Sequence, residues 1–168
     1  RNIFAHLGLD LASTTYKGKD FYGIRHDFIS GISIIVTLTV QNDIVVNLRV
    51  DITPEKSEPG VPREWLAYSP ETLITRYGPP SRVDFALDWG PRSFFEMDMY
   101  FDSVDLIVEY AGHDIIPRQK GSPQVCPRSD QFGIVRLWMG KDPVYPPSSS
   151  VSLEDATGMT LEAFAELI

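Results

Sequence analysis

Alternation of apolar and polar residues is clearest between residues 33 and 52. From Ile34 to Val40 every second residue is aliphatic, and the threonines between them would face the other side. After a polar triplet at positions 41–43, the alternation resumes at Ile44 and continues to Ile52. Because successive side chains of a strand point to opposite faces, this pattern predicts a β-hairpin with one buried face.

A second hairpin is predicted between residues 93 and 110, with its turn at Asp102-Ser103. A strand at residues 83–89 would precede it, further strands are expected at 21–29 and 131–139, and residues 10–20 are turn-like. One side of the central strands is large and apolar, so we expect these residues in the core: Val83, Phe85, Leu87, Trp89, Phe95, Met97, Met99, Phe101, Val104, Leu106, Val108 and Tyr110.

Short helices are predicted from the signals at their ends. Ser69 precedes Pro70 and Glu71, which is typical of a helix N-terminus, and Gly78 followed by two prolines would end that helix. Residues 152–155 resemble a capping box, and Thr160 would begin a final amphipathic helix. Residues 1–7 also show helical spacing ahead of a glycine.

Strands that are joined by short turns pair antiparallel, so the order of these elements indicates the fold class. We predict an α+β fold in which one or more antiparallel sheets are built from β-hairpins, with short helices packed on one face. Residues 1–168 would form a single compact unit. A proline-containing loop at residues 53–63 could separate two similar halves, 1–62 and 63–168.

Residues 69–83 resemble part of a known family, with the sequence S-P-E-T-L-I-T-R-Y-G-P-P-S-R-V. A short helix, an aromatic residue with Gly-Pro, and then a strand mark small periplasmic lipoproteins of the SmpA/OmlA outer-membrane-assembly type. Those proteins share the β-lactamase-inhibitor-protein architecture, with two helices on an antiparallel sheet. The resemblance implies the same arrangement for this chain.

Residues 65–168 are similar to a group of uncharacterised secreted or lipid-anchored proteins of Chloroflexota-type filamentous bacteria. The similarity lies in Y-G-P-P at 77–80, V-C-P at 125–127, R-L-W-M at 136–139 and S-L-E-D-A-T-G-M-T-L-E-A-F at 152–164. It implies export from the cytoplasm. It implies no activity and carries over no catalytic residues.

The net charge of −8 argues against nucleic acid and anionic membranes as partners, because both attract basic surfaces. No apolar run is long enough for a transmembrane segment. The chain starts at Arg1 and stops within a predicted helix, so we expect a fragment whose signal peptide or lipid anchor lies outside it. We therefore expect an extracytoplasmic location, secreted or at the cell surface.

Acidic residues of the central strands are the first candidates for chemistry. Paired carboxylates about 5–10 Å apart would suit a glycosidase, and clustered carboxylate oxygens would suit Ca²⁺. Strict alternation with core residues favours a simpler interpretation, a solvated sheet face. The acids predicted to face outward are Asp84, Asp88, Glu96, Asp98, Asp105 and Glu109.

Aromatic residues on the outward phase are the second candidates. Phe94 and Tyr100 are predicted to point away from the core on their strand, and Ile107 is predicted to do so on the next strand. Asp98 and Asp105 flank them. Such a surface favours contact with a protein or a carbohydrate, unless a helix or loop covers it. We predict these five residues as binding residues, with an exposed sheet edge as the alternative contact.

Residues typical of catalytic or metal sites are few. His6, His26 and His113 lack the spacing of metal ligands, and the single cysteine, Cys126, could pair only with a cysteine outside this sequence. No nucleophile elbow, phosphate-binding loop or dinucleotide-binding motif occurs.

These patterns favour a non-catalytic extracytoplasmic module, without cofactor or metal, that binds protein, forms a homo-oligomer or assembles at the cell surface. Two alternatives stay open. One is a carbohydrate-active or cation-dependent enzyme that uses the acidic face. The other is a small-ligand carrier with a cavity lined by Trp65, Trp89 and Trp138.

Overall fold

The computed structural model of the chain describes residues 12–27, 31–54, 63–88, 94–113, 132–140 and 150–168, without the side chains of residues 63, 64, 88, 94 and 113. The described strands are β1 Ala12–Tyr16, β2 Lys19–Asp27, β3 Ile32–Gln41, β4 Ile44–Pro54, β5 Arg82–Asp88, β6 Phe94–Phe101, β7 Leu106–His113, β8 Ile134–Met139 and β9 Val151–Ser152. The described helices are α1 Pro70–Tyr77, α2 Leu153–Thr157 and α3 Leu161–Leu167, with 3₁₀ turns at Arg63–Tyr68 and Asp102–Val104.

All of these strands belong to one antiparallel sheet, in the order β1-β2-β3-β4-β8-β7-β6-β5-β9. Strands β1 to β4 form one meander, and β5 to β7 form another. Strand β8 joins the two, because it pairs with β4 on one side and with β7 on the other. The coarse prediction of an antiparallel sheet with a few short helices is confirmed, although the fold is mainly β. The prediction of two similar halves stays a prediction.

Two tight turns set the register of the first meander. Lys17-Gly18 and Asn42-Asp43 both have positive φ angles at the two central residues, as in the type I′ turns that suit the twist of paired strands. The turn at 42–43 pairs Gln41 with Ile44. The register then shifts by one residue between Thr39 and Val40, so that Leu38 pairs with Leu48. Ile44 is therefore exposed, although strict alternation predicted it on the buried face.

One face of the sheet carries the hydrophobic core, and the helices contribute to it. Leu73 of α1, Leu153 of α2 and Phe164 of α3 belong to the same buried cluster as Met97 and Val108. Burial of large apolar side chains is the main stabilising contribution to such a core. The predicted core residues of β6 and β7 are thus confirmed from Phe95 to Phe101 and from Leu106 to Tyr110.

The predicted helix starts are confirmed by their capping hydrogen bonds. The hydroxyl oxygens of Ser69, Ser152 and Thr160 accept hydrogen bonds from the backbone N–H groups of Thr72, Asp155 and Ala163. Each bond satisfies one of the N–H groups that the first turn of a helix leaves without a partner. The described helices are short, and none is long and apolar enough to cross a membrane.

Three further predictions differ from the structure. Residues 12–16 and 19–20 are strand rather than turn, because a two-residue turn closes a hairpin there. That hairpin lies at the sheet edge, where β1 is exposed along its whole length and shows no apolar alternation. Val104 is exposed because it lies in a 3₁₀ turn rather than in β7, and Leu87 is 39% exposed near the end of β5. The predicted helix at 1–7 lies outside the described residues.

Gly140 is expected to be the most sensitive described glycine. Its φ is 120°, and a Cβ atom there would lie 2.6 Å from the carbonyl oxygen of Val46. Gly140→Ala should lower the free energy of unfolding by about 2 kcal/mol, because both the backbone angle and the contact would be strained. Gly23→Ala is the matched control, since a Cβ there meets nothing within 4 Å. Urea unfolding that shows equal effects for the two variants would contradict this expectation.

Candidate functional site

The sheet face opposite the core carries a row of charged side chains from five neighbouring strands. The register places Asp51 of β4, Arg136 of β8, Glu109 of β7, Asp98 of β6 and Asp84 of β5 side by side. They share a face because successive strands pair directly at these positions. We call these five residues the charged row, and the face that bears them the polar face.

Arg136 bridges two acids of the charged row. Its Nε atom lies 3.1 Å from Asp51 Oδ1, and its Nη1 atom contacts Glu109 Oε1. Arg49 adds a second contact to Asp51, with its Nε atom 2.8 Å from Oδ2. Strands β4, β8 and β7 are therefore tied together by ion pairs in addition to their backbone pairing.

At the other end of the charged row, Arg82 lies 3.0 Å from Asp84. Asp98 differs from its neighbours, because no described residue forms a hydrogen bond or an ion pair with its carboxyl group. It is also the most buried acid of the row, with 3% of its surface exposed. An unpaired carboxylate in such a place is costly, since burial removes its hydration.

The sequence predicted a solvated acidic face, and the structure differs. Asp84, Glu96 and Glu109 are buried together with Asp98. Each stands on an interior strand, with side chains of both neighbouring strands beside it. Asp105 is the exception, since it lies exposed in the left-handed conformation between β6 and β7. The side chain of Asp88 lies outside the described part of the chain.

Glu96, Asp98 and Glu109 form a carboxylate cluster, in which one oxygen of each lies within 4.8 Å of the others. Burial first, and then the charges of Glu96, Glu109 and Asp84, raise the pKa of Asp98 to about 8. Burial and the charge of Glu109 also raise the pKa of Glu96. At neutral pH the cluster therefore retains a proton on Asp98.

A second row, next to the charged row, stacks arginines on aromatic rings. The Arg82 guanidinium lies 3.8 Å from the centre of the Tyr100 ring, and that of Arg49 lies 5.1 Å from the Trp138 ring. Ile107 stands between the two rings, opposite Tyr100 on β6 and Trp138 on β8. Each cation–π contact adds attraction and covers part of an aromatic surface.

Three of the five predicted binding residues share the polar face. Tyr100 is only 9% exposed, Ile107 is half-buried and Asp98 is buried, so this region is not an open aromatic surface. Asp105 lies apart, in the turn before β7. Phe94 begins β6, but its side chain lies outside the description. The binding role of all five stays a prediction.

A pocket opens on the polar face where β1 to β4 meet β8. Its volume is about 240 Å³. Aromatic rings, threonine side chains, one amide and one guanidinium line it, from Thr14, Tyr16, Phe21, Thr37, Thr39, Asn47, Arg49 and Trp138. No carboxylate lines this pocket, so the carboxylate cluster and the pocket are separate features of one face.

Strand β1 forms one edge of the described sheet, and its five residues are exposed. Its register with β2 pairs Tyr16 with Lys19 across a two-residue turn. In such a hairpin the flanking pair is hydrogen-bonded and the pattern alternates from there. The N–H and C=O groups of Ser13 and Thr15 therefore point away from β2, along the outer edge. The sequence pattern did not predict this strand. The signal for it was the Lys17-Gly18 dipeptide, which is typical of a two-residue hairpin turn.

The remaining candidates do not converge. His26 is exposed on β2, the side chain of His113 is not described, and His6 and Cys126 lie outside the described ranges. Trp65 belongs to the core on the helix side, whereas Trp138 lines the pocket on the polar face. The two side chains therefore lie on opposite faces of the sheet, and Trp89 is not among the described residues.

Replacement of Arg136 tests the bridge at the centre of the charged row. Arg136→Met should lower the free energy of unfolding by about 2 kcal/mol, because Glu109 loses its guanidinium partner and Asp51 loses one of two. This figure is below that of a fully buried pair, since the Arg136 side chain is 31% exposed. Arg25→Met is the matched control and should change stability much less, because the Arg25–Asp27 pair is solvated. Equal losses in chemical denaturation would refute the bridge.

Stability should fall as pH rises towards 8. The carboxyl of Asp98 has a pKa of about 8 in the folded chain and an ordinary value near 3.8 when unfolded. Between those values the folded state binds more protons, so the free energy of unfolding decreases with increasing pH. Asp98→Asn should flatten the profile, whereas Asp105→Asn should not. The check is thermal unfolding in chelator from pH 5 to about 9, and a profile that Asp98→Asn leaves unchanged would contradict the assignment.

Comparisons with known protein families, with curated proteins and with solved structures found no match.

Proposed function

We propose that this chain is a non-catalytic extracytoplasmic binding module that captures an extended segment of a partner protein along the outer edge of β1. The observation that carries the proposal is this edge. No described strand pairs with the outer side of β1, and all five of its residues are exposed. A strand added there would extend the sheet by main-chain hydrogen bonds to Ser13 and Thr15.

The adjacent pocket supplies a place for one side chain of the added strand. Thr14 and Tyr16 of β1 form one wall of the pocket, and Trp138 contributes from β8. In strand addition, backbone hydrogen bonds give affinity and pockets for alternate side chains give specificity. A volume of about 240 Å³ suits a single aromatic or branched aliphatic side chain rather than a large ligand.

Charge near the edge favours an acidic residue in the partner segment. Lys17 and Lys19 stand at the turn that closes the β1–β2 hairpin. The Lys17 ammonium lies 5.2 Å from the Tyr16 ring, so this end of β1 combines positive charge with an aromatic surface. Complementary charge steers association and fixes the register of the bound segment.

The arrangement of the acids favours binding over sugar hydrolysis. A glycosidase needs two carboxyl groups on either side of a bound sugar, about 5–10 Å apart. Here three carboxylates crowd within 4.8 Å of one another and are buried. The pocket beside β1 has no acid in its lining. The extracytoplasmic location rests on the resemblance of residues 65–168 to exported proteins.

The proposal is tested by selecting displayed random peptides on the purified chain and measuring the affinity of the enriched sequences by fluorescence polarisation. We expect sequences with one aromatic or aliphatic anchor and an acidic residue in an extended pattern. Thr15→Pro removes the outward N–H and should weaken binding about tenfold, since a hydrogen bond contributes roughly 1 kcal/mol and the ring adds a steric block.

Two further variants distinguish the contribution of the β1 edge to peptide binding from that of the pocket. Thr15→Val is the matched control, because it keeps the N–H and the shape of threonine and should bind normally. Thr37→Phe fills the pocket and should remove the preference for the anchor while the chain still folds. Peptides that bind Thr15→Pro as tightly as the original chain, or a failure to enrich any sequence, would contradict strand capture at β1.

A further inference from the structure

The carboxylate cluster concentrates negative charge that the described side chains do not balance. Glu109 has a guanidinium partner in Arg136, but Arg136 also serves Asp51. Glu96 and Asp98 form no ion pair with a described residue. A buried group of three carboxyl groups with one shared guanidinium is unfavourable unless a proton or a further cation is bound.

Asp98 gives a second observation that points to a ligand. The residue has 3% of its surface exposed, forms no hydrogen bond with the described residues, and has an oxygen within 4.8 Å of oxygens of Glu96 and Glu109. Buried polar groups in folded proteins are almost always satisfied by a partner. A single partner placed between the three oxygens would contact Asp98, Glu96 and Glu109 together.

The oxygen spacing fits one hard cation. Ca²⁺ binds oxygen at roughly 2.3–2.6 Å, so two oxygens on opposite sides of one ion are at most about 5 Å apart. The three oxygens of the cluster lie within 4.8 Å of one another, which places all of them within reach of one ion. Carboxylates are the preferred ligands of such ions, and further oxygens could come from water.

We propose that Glu96, Asp98 and Glu109 form a binding site for a divalent hard cation, with Ca²⁺ as the best fit. The ion would sit on the polar face between β6 and β7, where Asp98 pairs with Glu109. It would tie the two strands together and supply the charge that the cluster lacks. The site does not include the pocket beside β1, so it is independent of partner capture.

The test is calorimetric titration of the chelator-treated chain with CaCl₂ at pH 8.5, where competition from protons is weakest. We expect one ion per chain and a melting temperature that rises with Ca²⁺ concentration, because an ion that binds only the folded state stabilises it by mass action. MgCl₂ should bind at least about tenfold more weakly, because Mg²⁺ demands octahedral geometry and gives up water reluctantly.

Conservative variants test whether the response to Ca²⁺ comes from the carboxylate cluster. Asp98→Asn keeps the shape and removes a charged ligand, and it should abolish the Ca²⁺-dependent rise in melting temperature. Glu96→Gln is the second variant, for the case that Asp98→Asn does not fold. Asp105→Asn is the matched control, because Asp105 is an exposed acid in a turn that tolerates asparagine, and it should respond as the original chain does.

Two outcomes would overturn the site. One is the absence of heat and of any melting shift up to millimolar CaCl₂, with Asp98→Asn more stable than the original chain, since the cluster then holds only a proton. The other is a Ca²⁺ response that survives in both Asp98→Asn and Glu96→Gln, since the ion then binds elsewhere. Either result would leave peptide binding at β1 unaffected.

Discussion

The contacts of Arg136 hold the two meanders of this sheet together on the polar face. Strand β8 is the only described strand between them, and its arginine contacts Asp51 on β4 and Glu109 on β7. On the opposite face the same strand places Val135 and Leu137 in the core. Strand β8 therefore joins the meanders by apolar packing on one side and by charge on the other, and both faces of the sheet centre are buried.

That double burial determines what each region of the polar face can do. At its centre, acids are packed closely enough that a proton or a cation must accompany them. Towards β1 the residues become more exposed, and a pocket opens between the threonines and the aromatic rings. The sheet thus has a buried charged interior and an accessible edge, which is the arrangement that the proposed capture of a partner strand requires.

Local patterns predicted much of the fold because they report on single elements. The alternation at 33–52, the serine caps and the Gly78 stop each follow from short-range physics, and each is present in the structure. Strand β1 escaped prediction because an exposed edge strand needs no apolar alternation. The charged row could not be predicted for another reason. Asp51, Arg136 and Glu109 are far apart in sequence, and only strand pairing brings them together. The alternation of apolar and polar residues in a strand predicts which side chains face away from the core. It does not predict whether those side chains are buried.

Amide hydrogen exchange of β1, measured with and without a bound peptide, tests strand capture most directly. The account predicts that the amides of Ser13 and Thr15 exchange rapidly in the free chain and slow markedly in the complex, because they gain partners only there. Slow exchange in the free chain would mean that the edge is already occupied. Protection that appears elsewhere while β1 stays unchanged would contradict the account.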